Sequence, residues 1–230
     1  MADLLGIGLY TPAEAERLLR VPAAKIRRWM QGHRVQGRDY QALWSPEINL
    51  GDGRVFLSFR DLMEVRVADA FIRRGVSPHR IRAAIAEAQR ILGHDHPLST
   101  DRFRTDGRNI FLHNIETDAD GVERERLLNL FRRQYEFKAI IEPILRSVDF
   151  GNDGSPSIWW PAGRHGNVVV DPERAFGAPI DAATSVPTAI LANVAREHGV
   201  RMTARAYDVP ELSVRSAIEF EAGMEKRLAA

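Results

Sequence analysis

Cysteine is absent from all 230 residues. Its absence removes a disulfide framework, thiolate metal sites and cysteine nucleophiles together, and it suits a reducing compartment. Long apolar runs are absent as well. Stretches such as Ala139 to Ile141 are far shorter than a membrane span, and the opening Met1-Ala2-Asp3-Leu4 lacks the basic flank of a signal peptide. A cytoplasmic protein without membrane attachment is expected. Catalytic and cofactor motifs are equally scarce: Gly6-x-Gly8 has no third glycine, no lysine-bearing phosphate loop occurs, and no serine sits in a nucleophile elbow. The chain is read as a non-enzyme that needs no cofactor.

Metal patterns fail on spacing. His94-Asp95-His96 precedes Pro97 in a loop and lacks the i, i+4 geometry of helical zinc ligands. Glu116, Asp118, Asp120 and Gly121 begin like a calcium loop, but the position that needs a bidentate glutamate falls on Leu127. No metal is expected at either place.

What is present is ordinary for a soluble protein with a core: 44% hydrophobic and 27% charged residues, in a length that suits a reading module plus one further globular body. The formal charge of +1 is unevenly spread, with +5 on residues 1–92, −3 on 93–159 and −1 on 160–230. Only Lys25, Lys138 and Lys226 among the 32 basic residues are lysine. Codon bias also produces such an arginine excess, so the position of the charges says more than their type. A basic first third is what phosphate binding requires.

Thr11-Pro12-Ala13-Glu14 is a capping box with proline at the first helical position, so a helix starts there, with Ala15, Leu18 and Leu19 as its apolar stripe. Val21 closes a turn and Pro22 opens a second helix, which turns Ile26 and part of Trp29 inward and Lys25, Arg27 and Arg28 outward. After His33-Arg34, the turn Gly51-Asp52-Gly53 and the strand-like Arg54 to Leu57 predict a hairpin with Arg54 at its tip, in the manner of a wing. Ser58 caps a helix that runs to Arg74. Ser77-Pro78 starts another, with Ile81, Ile85, Ala88, Ile91 and Leu92 on its buried side.

This order, ending in "RRGVSPHRIRAAIAEA", resembles the MerR-type winged helix-turn-helix family over residues 8–92. The resemblance places the second helix in a DNA major groove, with Ile26-Arg27-Arg28-Trp29 matching a segment whose arginine contacts the backbone. Arg28 stands where an aromatic is usual. The resulting DNA-binding candidates are Lys25, Arg27, Arg28, Trp29, His33, Arg34 and Arg54. The absence of cysteine ligands argues against a metal-sensing member.

In the middle third, Arg102 to Leu112 reads as a hairpin turning at Asp106-Gly107, and a helix is predicted from Val122 to Arg146, interrupted by Pro143. Gly151 to Pro156 reads as a turn or short linker. A short strand, Asn167 to Val170, then precedes three small helices. The series Asp171, Pro172, Phe176, Gly177, Pro179, Pro187, Thr188, Ala204, Tyr207, Val209, Ala217, Ile218 and Phe220 resembles the small domain of VapB-type antitoxins. Longer members of that family place a MerR-like reader ahead of it, so the resemblance spans nearly the whole chain.

The expected fold is mainly α with short β hairpins: a winged helix-turn-helix (1–92), an α+β connecting segment (93–159) and a trihelical, helix-turn-helix-like domain (160–230). The resemblance implies an antitoxin that neutralises a PIN-like ribonuclease toxin and represses its own operon, binding operator DNA as a homodimer. Arg201, Arg205 and Arg215 are the toxin-binding candidates. A stand-alone transcription factor with a ligand-sensing C-terminal body is the alternative, and an enzyme built from carboxylates in 95–153 is a third reading.

Overall fold

A computed structural model describes residues 5–51, 53–118 and 134–228. Helix α1 (Pro12–Leu19) begins with the capping box. The Thr11 amide donates to Glu14 Oε2 at 2.7 Å, and the Glu14 amide donates back to the Thr11 hydroxyl at 3.3 Å. Arg20 ends α1 in the left-handed region, and α2 (Ala23–Gln31) follows two residues later. The N-cap of α2 is Pro22, which has no side-chain acceptor. Glu16 of α1 takes over that role, accepting from the Ala23 amide at 3.2 Å. One residue thereby fixes the two helices against each other.

A hairpin follows α2 directly: β1 (His33–Val35) pairs antiparallel with β2 (Arg38–Tyr40). Gln36 and Gly37, with φ of 48° and 79°, form the two-residue turn, both central residues at positive φ as the strand twist demands. Gly32 is required at the exit from α2, because a Cβ there would collide with the Tyr40 carbonyl. The turn expected at Gly51-Asp52-Gly53 includes Asp52, which lies outside the described residues. Leu57 gives its backbone groups to Tyr10, donating at 2.8 Å and accepting at 2.9 Å, and among the described residues Val55 and Phe56 belong to no strand.

Helix α3 (Phe59–Arg73) starts from a second capping box, Ser58 with Asp61, and is buried along most of its length. Helix α4 (Pro78–Leu92) ends at Gly93 in the left-handed region; Ile91, expected inside, is 43% exposed. A 3-10 turn, Pro97–Ser99, leads to α5 (Asp101–Asp118). That helix occupies the segment expected as a hairpin. The Thr100 hydroxyl caps it by accepting from the Phe103 amide at 3.2 Å. Phe103, Gly107 and Ile110 are buried at i, i+4 and i+7, and the lack of a Cβ on Gly107 leaves room for the Phe103 ring. Helical spacing outweighs the Asp-Gly turn signal. Helix α6 (Gln134–Leu145) carries Pro143 within it. The part of the expected helix before Gln134 falls outside the described residues.

A four-stranded antiparallel meander comes next: β3 (Val148–Phe150), β4 (Pro156–Trp159), β5 (Val168–Val170) and β6 (Pro179–Asp181), in that order. The segment read as a linker, Gly151 to Ser155, is the β3–β4 loop. Three helices close the chain, α7 (Thr188–His198), α8 (Val200–Ala206) and α9 (Glu211–Leu228). The structure is therefore mixed, with helices predominating over a few short antiparallel strands.

The main core runs without interruption from Tyr10 to Val170, centred on α3 and on the rings of Phe71, Phe103 and Phe137, whose centroids lie 5.8–6.5 Å apart. A second, smaller core of Leu191, Ala195, Ala204, Val209, Val214 and Ala217 lies within the last three helices.

The two ends of the chain meet. The buried Tyr10 hydroxyl donates to the Gly177 carbonyl at 2.9 Å, and the Leu9 amide donates to Phe176 at 3.2 Å. Arg17 of α1 reaches Glu221 of α9 at 3.2 Å, and the other oxygen of Glu221 accepts from the buried Thr188 hydroxyl at 2.5 Å.

Candidate nucleic-acid interface

Helix α2 divides sharply. Ile26, Trp29 and Met30 are buried, whereas Ala24, Arg27, Arg28 and Gln31 are exposed at i, i+3, i+4 and i+7, one face of a helix. Arg27 and Arg28 have no carboxylate partner among the described residues. The hairpin beside them adds Arg34 and Arg38. Arg34 lies 3.5 Å from Asp39 across the strands, a fully solvated pair worth little. Arg54 lies in the loop after Gly53, with its guanidinium over the Phe56 ring at 5.6 Å, and Gln31 ties that loop to α2 by donating to the Gly53 carbonyl at 3.2 Å.

Three of the sequence-derived candidates face inward. Lys25 binds Asp69 of α3 at 2.9 Å and lies over the Trp29 ring at 4.7 Å. Trp29 is buried, and His33 stacks on Tyr40 with centroids 4.9 Å apart. These residues hold α2 and the hairpin in place. Behind them, Arg82 of α4 donates to the carbonyls of Gln41 and Ala42, pinning the exit of β2. Sequence reasoning missed Arg38; the signal for it was Gln36-Gly37, the dipeptide that makes the hairpin turn there.

A buried polar network supports this surface from below. Asp61 accepts from Trp44 Nε1 at 2.8 Å and from the amides of Ser58 and Glu47, and His96 Nε2 lies 2.9 Å from the same carboxylate. Burial disfavours a charge on His96, but Asp61, Glu64 and Glu47 outweigh it and raise the imidazole pKa. Glu64, one turn along α3, accepts from the Ser99 amide and hydroxyl at Oε1, and its other oxygen is buried with no hydrogen bond of good geometry among the described residues. Burial pushes Glu64 up to about 7, against the partial relief provided by His96 and Ser99. The loop read as His94-Asp95-His96 thus delivers a buried histidine to a carboxylate; among the described residues no cluster has the makings of a metal site.

Arg201 and Arg205 of α8 and Arg215 of α9 are all exposed, Arg215 being 3.4 Å from Glu211. Met202, Tyr207 and Leu212 of the same two helices and the turn between them are exposed as well. Exposed apolar side chains interspersed with arginines have the composition of a protein-binding surface.

Fold and surface together define a mainly helical protein with a solvent-facing basic helix and hairpin near its start and exposed apolar and arginine side chains in its last helices. No family model matches the chain. A protein of Mycobacterium tuberculosis named "Putative antitoxin VapB45" is 30% identical over 184 residues, covering 76% of this chain and 77% of that protein. The chain belongs to this VapB antitoxin family. A crystal structure of Rv2018 from Mycobacterium tuberculosis superposes with a TM-score of 0.69 at 26% identity, covering 94% of this chain and all of that one.

Proposed function

We propose that this protein is the antitoxin of a type II toxin-antitoxin pair that neutralises a PIN-like ribonuclease toxin and represses its own operon by binding operator DNA. The observation that carries the DNA half is the exposed face of α2, with Arg27 and Arg28 unpaired beside Arg34 and Arg38 of a hairpin. A helix followed at once by a basic hairpin suits a winged helix-turn-helix, the helix in the major groove and the hairpin along the phosphates. Arg54 extends the same surface, and Lys25, Trp29 and His33 keep it in shape. Two copies related by a two-fold axis would meet two half-sites.

The division of labour is that residues 1–92 read DNA, 93–159 supply the body on which the reader rests, and 160–230 meet the toxin. Kinship with the VapB family supports the toxin half. The exposed Met202, Tyr207 and Leu212, on the same helices and turn as the exposed Arg201, Arg205 and Arg215, support its location. No described helix is long and apolar enough to cross a membrane, which accords with action on DNA in the cytoplasm.

The test is a mobility shift with DNA from upstream of the protein's own gene, at several salt concentrations, with and without the product of the adjacent gene. Salt-sensitive specific binding modulated by that product is expected, and no specific binding under any condition would remove the repressor role. For the toxin, Arg201→Ala with Leu212→Ala serves better than deletion of 160–230, because Val170 belongs to the main core. Toxin binding unchanged in that double variant would exclude the α8–α9 patch.

A further inference from the structure

Between α1, α3 and α9, floored by Ile144 and Trp159, lies a groove of about 370 Å³ whose lining carries Arg17, Arg20, Arg66 and Arg73 against a single acid, Asp69. Two of these arginines have acidic partners: Arg17 pairs with Glu221 and Arg73 with Asp69. Arg66 has none among the described residues. Its guanidinium donates to the Ser147 hydroxyl at 3.1 Å and weakly to Met63 sulfur at 3.5 Å, and it lies over the Trp159 ring at 4.4 Å. Five N–H donors are available on an arginine, and these two bonds leave most of them unused. Arg66 is half-buried, and desolvation lowers its pKa to about 9, which still leaves it charged near neutral pH with no carboxylate beside it among the described residues.

The lining also includes apolar side chains, Phe220 and Met224 of α9 with Leu18 and Leu19 of α1. A groove that holds an arginine with spare donors together with hydrocarbon selects a molecule with an anionic head and an apolar body. The volume admits one or two rings, since a cavity of about 150 Å³ already accommodates benzene. We propose that this groove binds a small organic anion, a carboxylate or phosphate monoester on a ring-sized apolar body, with Arg66 as its anchor. The Asp69 carboxylate in the same lining holds both Arg73 and Lys25 of α2. A ligand that draws Arg73 away therefore changes what holds α2; that coupling, unlike the binding itself, rests on the DNA-binding reading.

The test is calorimetric titration of the full chain, without DNA or toxin, using benzoate, phenyl phosphate, inorganic phosphate and the neutral control phenol. Saturable binding of a ring-bearing anion is expected on the order of 1 mM or tighter, with no binding of phenol. Arg66→Met should weaken it about tenfold or more, the loss of a charge-assisted pair. Ala70→Glu places an internal carboxylate one turn from Arg66 and should abolish binding while Arg66 remains, which keeps the test valid if Arg66→Met fails to fold. Arg90→Ala, on the exposed side of α4 and not among the groove's lining, should leave it unchanged. An absence of saturable binding to about 10 mM, affinity unaffected by both groove variants, or phosphate binding as tightly as phenyl phosphate would overturn the proposal. None of these outcomes depends on whether the protein binds an operator.

Discussion

Glu64 is nearly fully buried, with one carboxylate oxygen lacking a hydrogen bond of good geometry among the described residues and a pKa of about 7 in the folded chain. In the unfolded chain the same group titrates near its ordinary value of 4.5, so between those values the folded state holds the extra proton. Stability from this residue is therefore full below pH 4.5 and declines as pH rises toward 7. His96 acts in the same direction. Its folded pKa is raised, so its contribution is full below 6.5 and is lost as pH climbs through the folded value. The wild-type melting temperature should accordingly fall from pH 5.5 to pH 8. Glu64→Gln should flatten most of that slope and be the more stable protein at pH 8, by on the order of 3 kcal/mol at most. An unchanged slope in the variant would show that the charge on Glu64 is not what titrates. The sequence offered no route to this pair: Glu64 lies on α3 and Ser99 and His96 in a loop over thirty residues on, brought together only by packing.

The helix boundaries that were legible in the sequence are those written in short-range chemistry. Thr11-Pro12-x-Glu14, Ser58-x-x-Asp61 and Ser77-Pro78 each start a helix where expected, because a cap is a contract between neighbours. The errors concern turns. Asp106-Gly107 carries strong hairpin residues yet lies in α5, while Gln36-Gly37 makes a hairpin. Turn residues permit a hairpin; partner strands decide it. Three of the four similarly short strands in the meander were missed for a related reason: β5 is an unbroken Val168-Val169-Val170, whereas β3, β4 and β6 carry Asp149, Pro156 and Pro179, which weaken the strand signal. The candidate DNA surface was half legible: the spacing identified Arg27 and Arg28 correctly as outward-facing, but gave no warning that Asp69, forty-four residues on, claims Lys25. Two measurements separate these roles. Arg27→Ala and Arg38→Ala should each weaken binding to all DNA sequences and reduce the slope of log K against log salt by about 0.9. Lys25→Met should leave that slope nearly unchanged and lower stability by roughly 1–3 kcal/mol, because Asp69 loses a partner while buried. A full loss of one unit of slope in Lys25→Met would return that lysine to the DNA.

At the scale of the molecule, α1 serves two masters: it buttresses α2 through Glu16 and grips the C-terminal helices through Arg17. Tyr10 is the second grip, and Gly177 has φ of 82° with no room for a Cβ beneath the Tyr10 hydroxyl. Gly177→Ala should destabilise the fold more than Tyr10→Phe, for which about 1 kcal/mol is expected from one lost hydrogen bond. Urea unfolding of both variants provides the check, and equal costs would mean that the close approach is unimportant. The same latch joins residues that a ribosome makes far apart in time. When α1 emerges, its clasp near residue 177 has not been translated, so Tyr10 and the flank of α1 stay uncovered until synthesis has passed Gly177. A product broken off before that point would leave them exposed, a mark for proteolysis. The seat of α2, held through Glu16 of α1, is thus completed only by sequence made long after it.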